Sequence, residues 1–223
     1  MKIKFISKTK KAHNIISYRF EKPANFNYLA GQYSEFHYSH PHPDNRGLVR
    51  WFTLSSAPEE DYLEFTTKHP DSEKSSSFKK SLQTIKKGTE LDVYDSMGDF
   101  VLPMSQKTKL IFIVAGIGIT PLLSIMKHLK ITNQKRPIYI YYIARTEEMI
   151  DLESYREVVD NIFLYNSSKE FELKAILKLI EDNHFKDYLI YLSGPQLMVE
   201  DKATKLKSTL DRSKIILDYF DGY

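Results

Sequence analysis

The stretch Leu110–Pro121, LIFIVAGIGITP, decides the architecture of this chain. Leu110–Ala115 is an unbroken apolar run, the mark of a strand covered on both faces. Gly116 and Gly118 follow at once, then Thr120 in the place of a helix N-cap and Pro121 in that of a first helical residue. A strand that turns through glycine into a helix can offer backbone N–H groups to a phosphate. It can equally be a tight connection with no ligand.

Outward from this stretch the same rhythm repeats. A helix is predicted over Pro121–Lys130, and further apolar runs lie at Ile138–Ala144, Ile162–Tyr165, Tyr188–Leu192 and Ile215–Tyr219. Helices are predicted between them at Glu147–Asp160, Glu170–Glu181 and Gln196–Leu210. Buried strands alternating with helices predict a doubly wound α/β domain with a five-stranded parallel sheet. Such sheets bind ligands beyond the carboxyl ends of their strands, which singles out Gly116–Pro121 and Ser193-Gly194-Pro195.

Upstream the texture differs. Lys2–Lys8, Ile15–Glu21, Tyr33–Tyr38, Val49–Ser55, Tyr62–Lys68 and Glu90–Tyr94 read as short strands between turns, with one helix over Ser77–Ile85. Closely spaced short strands predict an antiparallel β-barrel or sandwich. The change of texture near Pro103–Thr108 divides the chain into a first domain over 1–104 and a second over 105–223.

The composition removes several function classes. The 223 residues contain no cysteine, so this chain cannot itself offer a disulfide, a catalytic thiolate or a cysteine-ligated iron–sulfur cluster. A formal charge of +3 from 32 basic and 29 acidic residues is too even to predict nucleic-acid binding. No apolar run is long enough to span a membrane, and the N-terminal MKIKFISKTKKAHN lacks a secretory core, so a cytoplasmic location is expected. His37, His40 and His42 share a turn-rich loop, but no carboxylate completes a metal site near them and none is expected. Lys79, Lys80, Lys86 and Lys87 read as a basic patch, either a solvated helix face or a surface that steers an acidic protein.

One predicted strand carries chemistry. In Arg50-Trp-Phe-Thr-Leu-Ser-Ser56, an arginine can grip a phosphate through two parallel N–H groups. Phe52 offers a ring and Thr53 a hydroxyl; the plainer reading is a half-buried strand with an exposed arginine.

Taken together, these motifs resemble the ferredoxin-NADP reductase family along nearly the whole chain. Gly31-Gln32-Tyr33 is similar to its early strand signature, and Arg50–Ser56 to its Arg-x-Tyr-Ser flavin motif. Ser75-Ser76-Ser77-Phe78 resembles the segment that cradles the flavin pyrophosphate. Gly116–Pro121 resembles the nicotinamide-nucleotide loop, and Ser193-Gly194-Pro195 the Cys-Gly-Pro motif with serine for cysteine. The resemblance implies an FAD-dependent NAD(P)H oxidoreductase passing hydride to flavin N5 and electrons to a separate carrier such as ferredoxin or flavodoxin. It implies that Arg50 binds the pyrophosphate with Ser75, Ser76 and Ser77, which favours FAD over FMN. Phe52 would contact the flavin, Thr53 would lie near N5, and Thr66 and Thr67 would meet the pyrimidine edge. Gly116, Gly118, Thr120, Pro121, Gly194 and Pro195 would hold the nicotinamide nucleotide. Ser193 and Asp218 would stand near the reacting atoms, and Phe220 would stack, with Tyr219 and Tyr223 as alternatives. Arg145, Ser167, Ser168 and Lys169 follow the second and third parallel strands and suit a 2′-phosphate, favouring NADPH over NADH. The rivals are a non-catalytic flavin- or nucleotide-binding module and a reductase that releases free reduced flavin or reduces ferric iron.

Overall fold

A computed structural model describes residues 1–70, 75–167 and 171–220, the side chain of Phe220 excepted. The first unit is a six-stranded antiparallel sheet: β1 (Lys2–Ala12), β2 (Ile15–Glu21), β3 (Tyr33–His37), β4 (Val49–Thr53), β5 (Tyr62–Lys68) and β6 (Glu90–Val93), in the order β4-β3-β6-β1-β2-β5. The sheet curls until its two edges meet. Leu54 bridges Phe65, and the Ser55 N–H donates to the Glu64 carbonyl at 2.6 Å, which closes a barrel. Inward-facing rings fill it: Phe20, Phe36, Phe52 and Phe65 pack as one aromatic cluster with Phe78 of a short helix, α1 (Ser77–Gln83).

The second unit is a parallel sheet of β7 (Lys109–Ala115), β8 (Ile138–Ile143), β9 (Asn161–Tyr165), β10 (Tyr188–Pro195) and β11 (Ile215–Phe220), ordered β11-β10-β7-β8-β9. Its helices are α2 (Thr120–Ile131), α3 (Lys174–Asp182) and α4 (Gln196–Lys207). The apolar run of β7 now has its reason. Leu110, Phe112 and Val114 face a core shared with α2, whereas Ile111, Ile113 and Ala115 face a second core shared with α3 and α4. Among the described residues no helix is long and apolar enough to cross a membrane.

Two expectations fail here. The helix predicted over Glu147–Asp160 does not form; the segment is laid down as 3-10 turns at Thr146–Glu148 and Glu153–Tyr155. Its buried residues Ile150, Leu152, Val158 and Val159 lack a 3.6-residue period, and the Asp151 carboxylate accepts the Glu153 N–H at 2.9 Å, a local bond that competes with a helix. Thr120 is not an N-cap either. A 3-10 turn over Gly116–Ile119 precedes α2, so Thr120 is already helical and its hydroxyl donates back to the Ile117 carbonyl at 3.0 Å.

The two units share a packed boundary. Ile15, Ala30 and Phe100 join the core around α2. Gly31 has φ 101°, and a Cβ there would lie 2.0 Å from the Phe100 carbonyl oxygen, so only glycine fits at the start of the Gly31-Gln32-Tyr33 signature. Polar contacts complete the seam. Ser124 of α2 donates to the Ser56 carbonyl, Lys127 pairs with Glu64 at 2.8 Å, and Lys68 pairs with Glu148 at 2.6 Å.

Candidate functional site

The barrel end near α1 gathers cations and hydroxyls. Arg50 stands beside Phe78, its guanidinium carbon 5.4 Å from the ring centroid. Its Nη1 donates to the carbonyls of Arg46 and Val49 at 2.7 and 2.5 Å. Its Nη2 is buried without a hydrogen-bond partner and lies 4.0 Å from the Asp44 carboxylate. Ser75 Oγ and Thr67 Oγ1 are likewise buried and unpartnered. A buried donor left open costs free energy, so this arrangement fits an anion that would complete it.

The serines of the Ser75–Ser77 segment have different tasks. Ser76 caps α1, its hydroxyl accepting the Lys79 N–H at 3.2 Å. The Ser77 N–H donates to the Asp44 carboxylate at 2.8 Å, and the Asp44 N–H donates back to Ser77 Oγ at 2.9 Å. Arg46 grips the same carboxylate at 2.7 Å. That hydrogen bond, ahead of the one from Ser77, holds the Asp44 carboxyl well below the usual carboxylate range. Sequence reasoning missed Asp44, because nothing local joins positions 44 and 77.

Lys79 is no solvated helix face. Its ammonium reaches across to the Lys68 carbonyl at 2.9 Å. Burial, with Arg50, Arg46 and Lys68 nearby, pushes it down to about 8. His69 lies next to it on the chain leaving β5. Burial, with Lys79 and Lys8, pushes that imidazole down to about 4, so it is neutral at pH 7.

Phe52 differs from expectation. Its ring is only 5% exposed and stacks on Phe65 at 4.1 Å with an interplanar angle of 6°. It is a barrel-core residue, not an open platform. The exposed ring of β4 is Trp51, 64% accessible, whose indole N–H donates to Glu35 at 2.9 Å. Trp51 shares its face of the strand with Thr53, which lies opposite Tyr33 and is buried. Thr66 Oγ1 sits between Ser17 Oγ at 2.7 Å and Ser55 Oγ at 2.8 Å, inside a hydroxyl cluster.

The carboxyl edge of the parallel sheet brings together the two glycine motifs read from sequence. A Cβ on Gly118 would lie 2.5 Å from both the carbonyl carbon and oxygen of Ser193, so the turn after β7 rests directly on the end of β10. Gly116 has φ 53° with open space around it, so it is needed for its backbone conformation. Gly194 has φ 151°, and a Cβ there would lie 3.0 Å from Ala115. Pro195 ends β10 exposed, and Pro121 is buried in the first turn of α2.

Ser193 is fully buried in β10 and paired across the sheet with Asp218 of β11. Its hydroxyl donates to the Asp218 carboxylate at 3.3 Å. Burial pushes that carboxyl up to about 6, against the pull of the Ser193 hydrogen bond. A group with this value can hold or release a proton near neutral pH. Phe220 lies in β11 at the level of Pro195, and Tyr219 is exposed beside it.

Arg145 and Ser167 lie just past the ends of β8 and β9, where a Thr146–Asn166 hydrogen bond of 2.9 Å ties the two turns. Ser168, Lys169 and Tyr223 lie outside the described residues. Among the described residues no group of three or more His, Asp or Glu side chains converges to hold a metal ion.

Comparison with known proteins agrees with this geometry. Residues 107–178 match the ferric reductase NAD-binding domain family. The chain is 27% identical to the reductase component of propane 2-monooxygenase from Rhodococcus jostii (strain RHA1), over 93% of this chain and 60% of that protein. It spans 56% and 52% of two further curated relatives, so it corresponds to little more than half their length. It superposes on the flavohem-like FAD/NAD-binding domain of nitric oxide dioxygenase from Vibrio cholerae O1 biovar El Tor with a TM-score of 0.79 and 18% identity, over 98% of each chain. The ferredoxin-NADP+ reductase of Plasmodium falciparum, solved with 2'P-AMP, gives a TM-score of 0.79 and 18% identity over 98% of this chain and 95% of that one. A curled antiparallel sheet whose charged end carries Arg50, joined to a parallel sheet whose glycine turn rests on Ser193, gives the chain the two-domain fold of ferredoxin-NADP+ reductases and flavohem-like FAD/NAD-binding domains.

Proposed function

We propose that this chain is an FAD-dependent NAD(P)H reductase, with residues 1–104 as its flavin domain and 105–223 as its nicotinamide-nucleotide domain. The observation that carries the reading is the barrel-end cluster, where Arg50 Nη2 and Ser75 Oγ are buried donors without partners. Bound FAD supplies the chemistry, a ring whose N5 accepts hydride from NAD(P)H. The chain supplies placement and charge. Arg50 neutralises the pyrophosphate, with Ser75, Ser76 and Ser77 around it. Thr53 would stand near flavin N5, and the strand carrying Thr66 and Thr67 would meet the pyrimidine edge. Phe52 supports this surface from within the barrel core.

On the other side, the Gly116–Pro121 turn and Gly194-Pro195 shape the nucleotide's path across the sheet edge. The Ser193–Asp218 pair would stand beside the transfer site, the serine hydroxyl donating to the carboxylate. Asp218, raised to about 6, changes protonation with little cost near neutrality. Arg145 and Ser167, with Lys169, favour NADPH through its 2′-phosphate.

The electrons leave to a separate carrier, a ferredoxin or flavodoxin. A second reading, an oxygenase component as acceptor, is favoured by the Rhodococcus relative, which is named as a monooxygenase reductase component. The assignment is tested by the visible spectrum of the purified protein, supplied with FAD and then titrated anaerobically with NADPH and NADH. Flavin bands that bleach, faster with NADPH, are expected. A protein that takes up no FAD would end the reductase reading.

A further inference from the structure

Asp44 sits in an unusual place for a carboxylate. It lies in the loop between β3 and β4, yet it accepts the Ser77 N–H at 2.8 Å and approaches Arg50 Nη2 to 4.0 Å. Those two donors belong to the groups that hold the flavin pyrophosphate in the function proposed above. The Asp44 backbone is fastened to the same spot, through its N–H to Ser77 Oγ at 2.9 Å. Arg46, two residues on, binds the carboxylate through both Nε, at 3.2 Å, and Nη2, at 2.7 Å. The loop thus carries its own anion into a cation cluster and its own cation to steady it.

We propose that Asp44 is an affinity-determining residue: its carboxylate competes with the flavin pyrophosphate for Arg50 and the Ser77 N–H, and must be displaced before a dinucleotide binds. This inference rests on the assignment of Arg50 to the pyrophosphate. Two physical facts support it. A carboxylate and a phosphate cannot share one guanidinium edge without like-charge repulsion. The competing carboxylate is also carried on a loop and reaches α1 only through Ser77. Asp44 is joined to Arg46 and Ser77 but lies outside the aromatic core, so it can swing away without unpacking Phe52 or Phe78.

The competition applies to phosphate and not to the isoalloxazine ring, which sets the experiment. Dissociation constants for FAD and for riboflavin are measured on the intact chain, on Asp44→Asn and on Arg50→Ala. Asn keeps an oxygen for the Ser77 N–H and removes the charge. Asp44→Asn should bind FAD about ten-fold more tightly, with riboflavin affinity unchanged. Its FAD association rate should rise as well, because no carboxylate has to leave first. Unchanged or weaker FAD binding in Asp44→Asn would overturn the proposal, as would equal changes for FAD and riboflavin, which would reveal a structural role. Arg50→Ala separates the two layers of the argument. If it fails to weaken FAD binding, the pyrophosphate assignment itself falls. If it weakens FAD binding while Asp44→Asn has no effect, only the competition falls.

Discussion

The charged end of the barrel and the carboxyl edge of the parallel sheet are built from different materials. The barrel end is made of side chains, Arg50, Ser75, Ser76 and Asp44, of which Arg50 and Ser75 each keep a buried polar atom without a partner. At the sheet edge it is done by backbone, with Gly118 pressed against Ser193 and Gly194 against Ala115. A side-chain site is altered by changing charge and leaves the fold standing. A backbone site is altered only by adding volume, and the fold feels it. The difference predicts where mutations separate stability from binding and where they cannot.

The largest effect should come from Gly118→Ala. The added carbon meets only backbone atoms, at 2.5 Å from Ser193 and 2.6 Å from Gly194, so no flexible side chain can yield. A loss of about 3 kcal/mol is expected, the upper range for overpacking. Thermal unfolding should fall by several degrees, and nucleotide affinity should fall with it. Arg50→Ala is the counterpart. Its melting temperature should stay near that of the parent while FAD retention drops. Equal loss of stability in both variants would erase the distinction between the two ends.

Some of this was legible in the sequence and some was not, for physical reasons. The five apolar runs and both glycine motifs were readable because burial on two faces and close backbone approach leave direct marks on residue type. Phe52 was misread because alternation tells which residues share a face of β4 but not which face is inside; the Phe65 ring, thirteen positions on, decides that. Lys79 was misread because it was grouped with nearby lysines in sequence, whereas its ammonium reaches the carbonyl of Lys68, eleven positions earlier. The segment after β8 was misread as a helix because its charge and apolar content suited one. Its apolar residues instead follow the surface of the α2 core at irregular spacing. The Ser193–Asp218 pair was read as two separate residues, since only the parallel register of β10 and β11 sets them side by side.

Two carboxylates, Asp218 half-buried and Glu64 buried, sharpen the comparison, because they respond to pH in opposite directions. Asp218, at the sheet edge, is raised by burial from 3.8 to about 6. Well below pH 3.8 it is protonated in both folded and unfolded chains and has no effect on stability. As pH rises from 4 to 6 the unfolded chain ionises first, so the folded state loses stability, by up to about 3 kcal/mol above pH 6. Asp218→Asn should therefore be more stable than the parent at pH 7 and converge with it well below pH 3.8, as read by denaturant melts at each pH. The same variant should flatten the pH dependence of hydride transfer between pH 5 and 7. A variant equally stable at both pH values would show that Asp218 is not held in its raised state by burial.

Glu64 behaves in the contrary sense, with a smaller expected effect. It is 1% exposed in β5, between Arg19 at 2.7 Å and Lys127 of α2 at 2.8 Å. Burial alone would raise its carboxyl, but Lys127 and the Arg19 hydrogen bond overcome that and hold it below its ordinary value. Its stabilisation is therefore present above about pH 4.5 and lost as pH falls through the lowered folded value. Lys127→Met keeps the apolar stem and removes the charge across the seam, while Arg19 still neutralises the carboxylate. The expected cost is about 1 kcal/mol at pH 7, shrinking toward zero once Glu64 is protonated in both proteins. Because Lys127 belongs to the parallel-sheet unit and Glu64 to the barrel, this variant reads the strength of the seam itself. A cost that persists undiminished at low pH would mean that the seam is held at this point by packing rather than by charge.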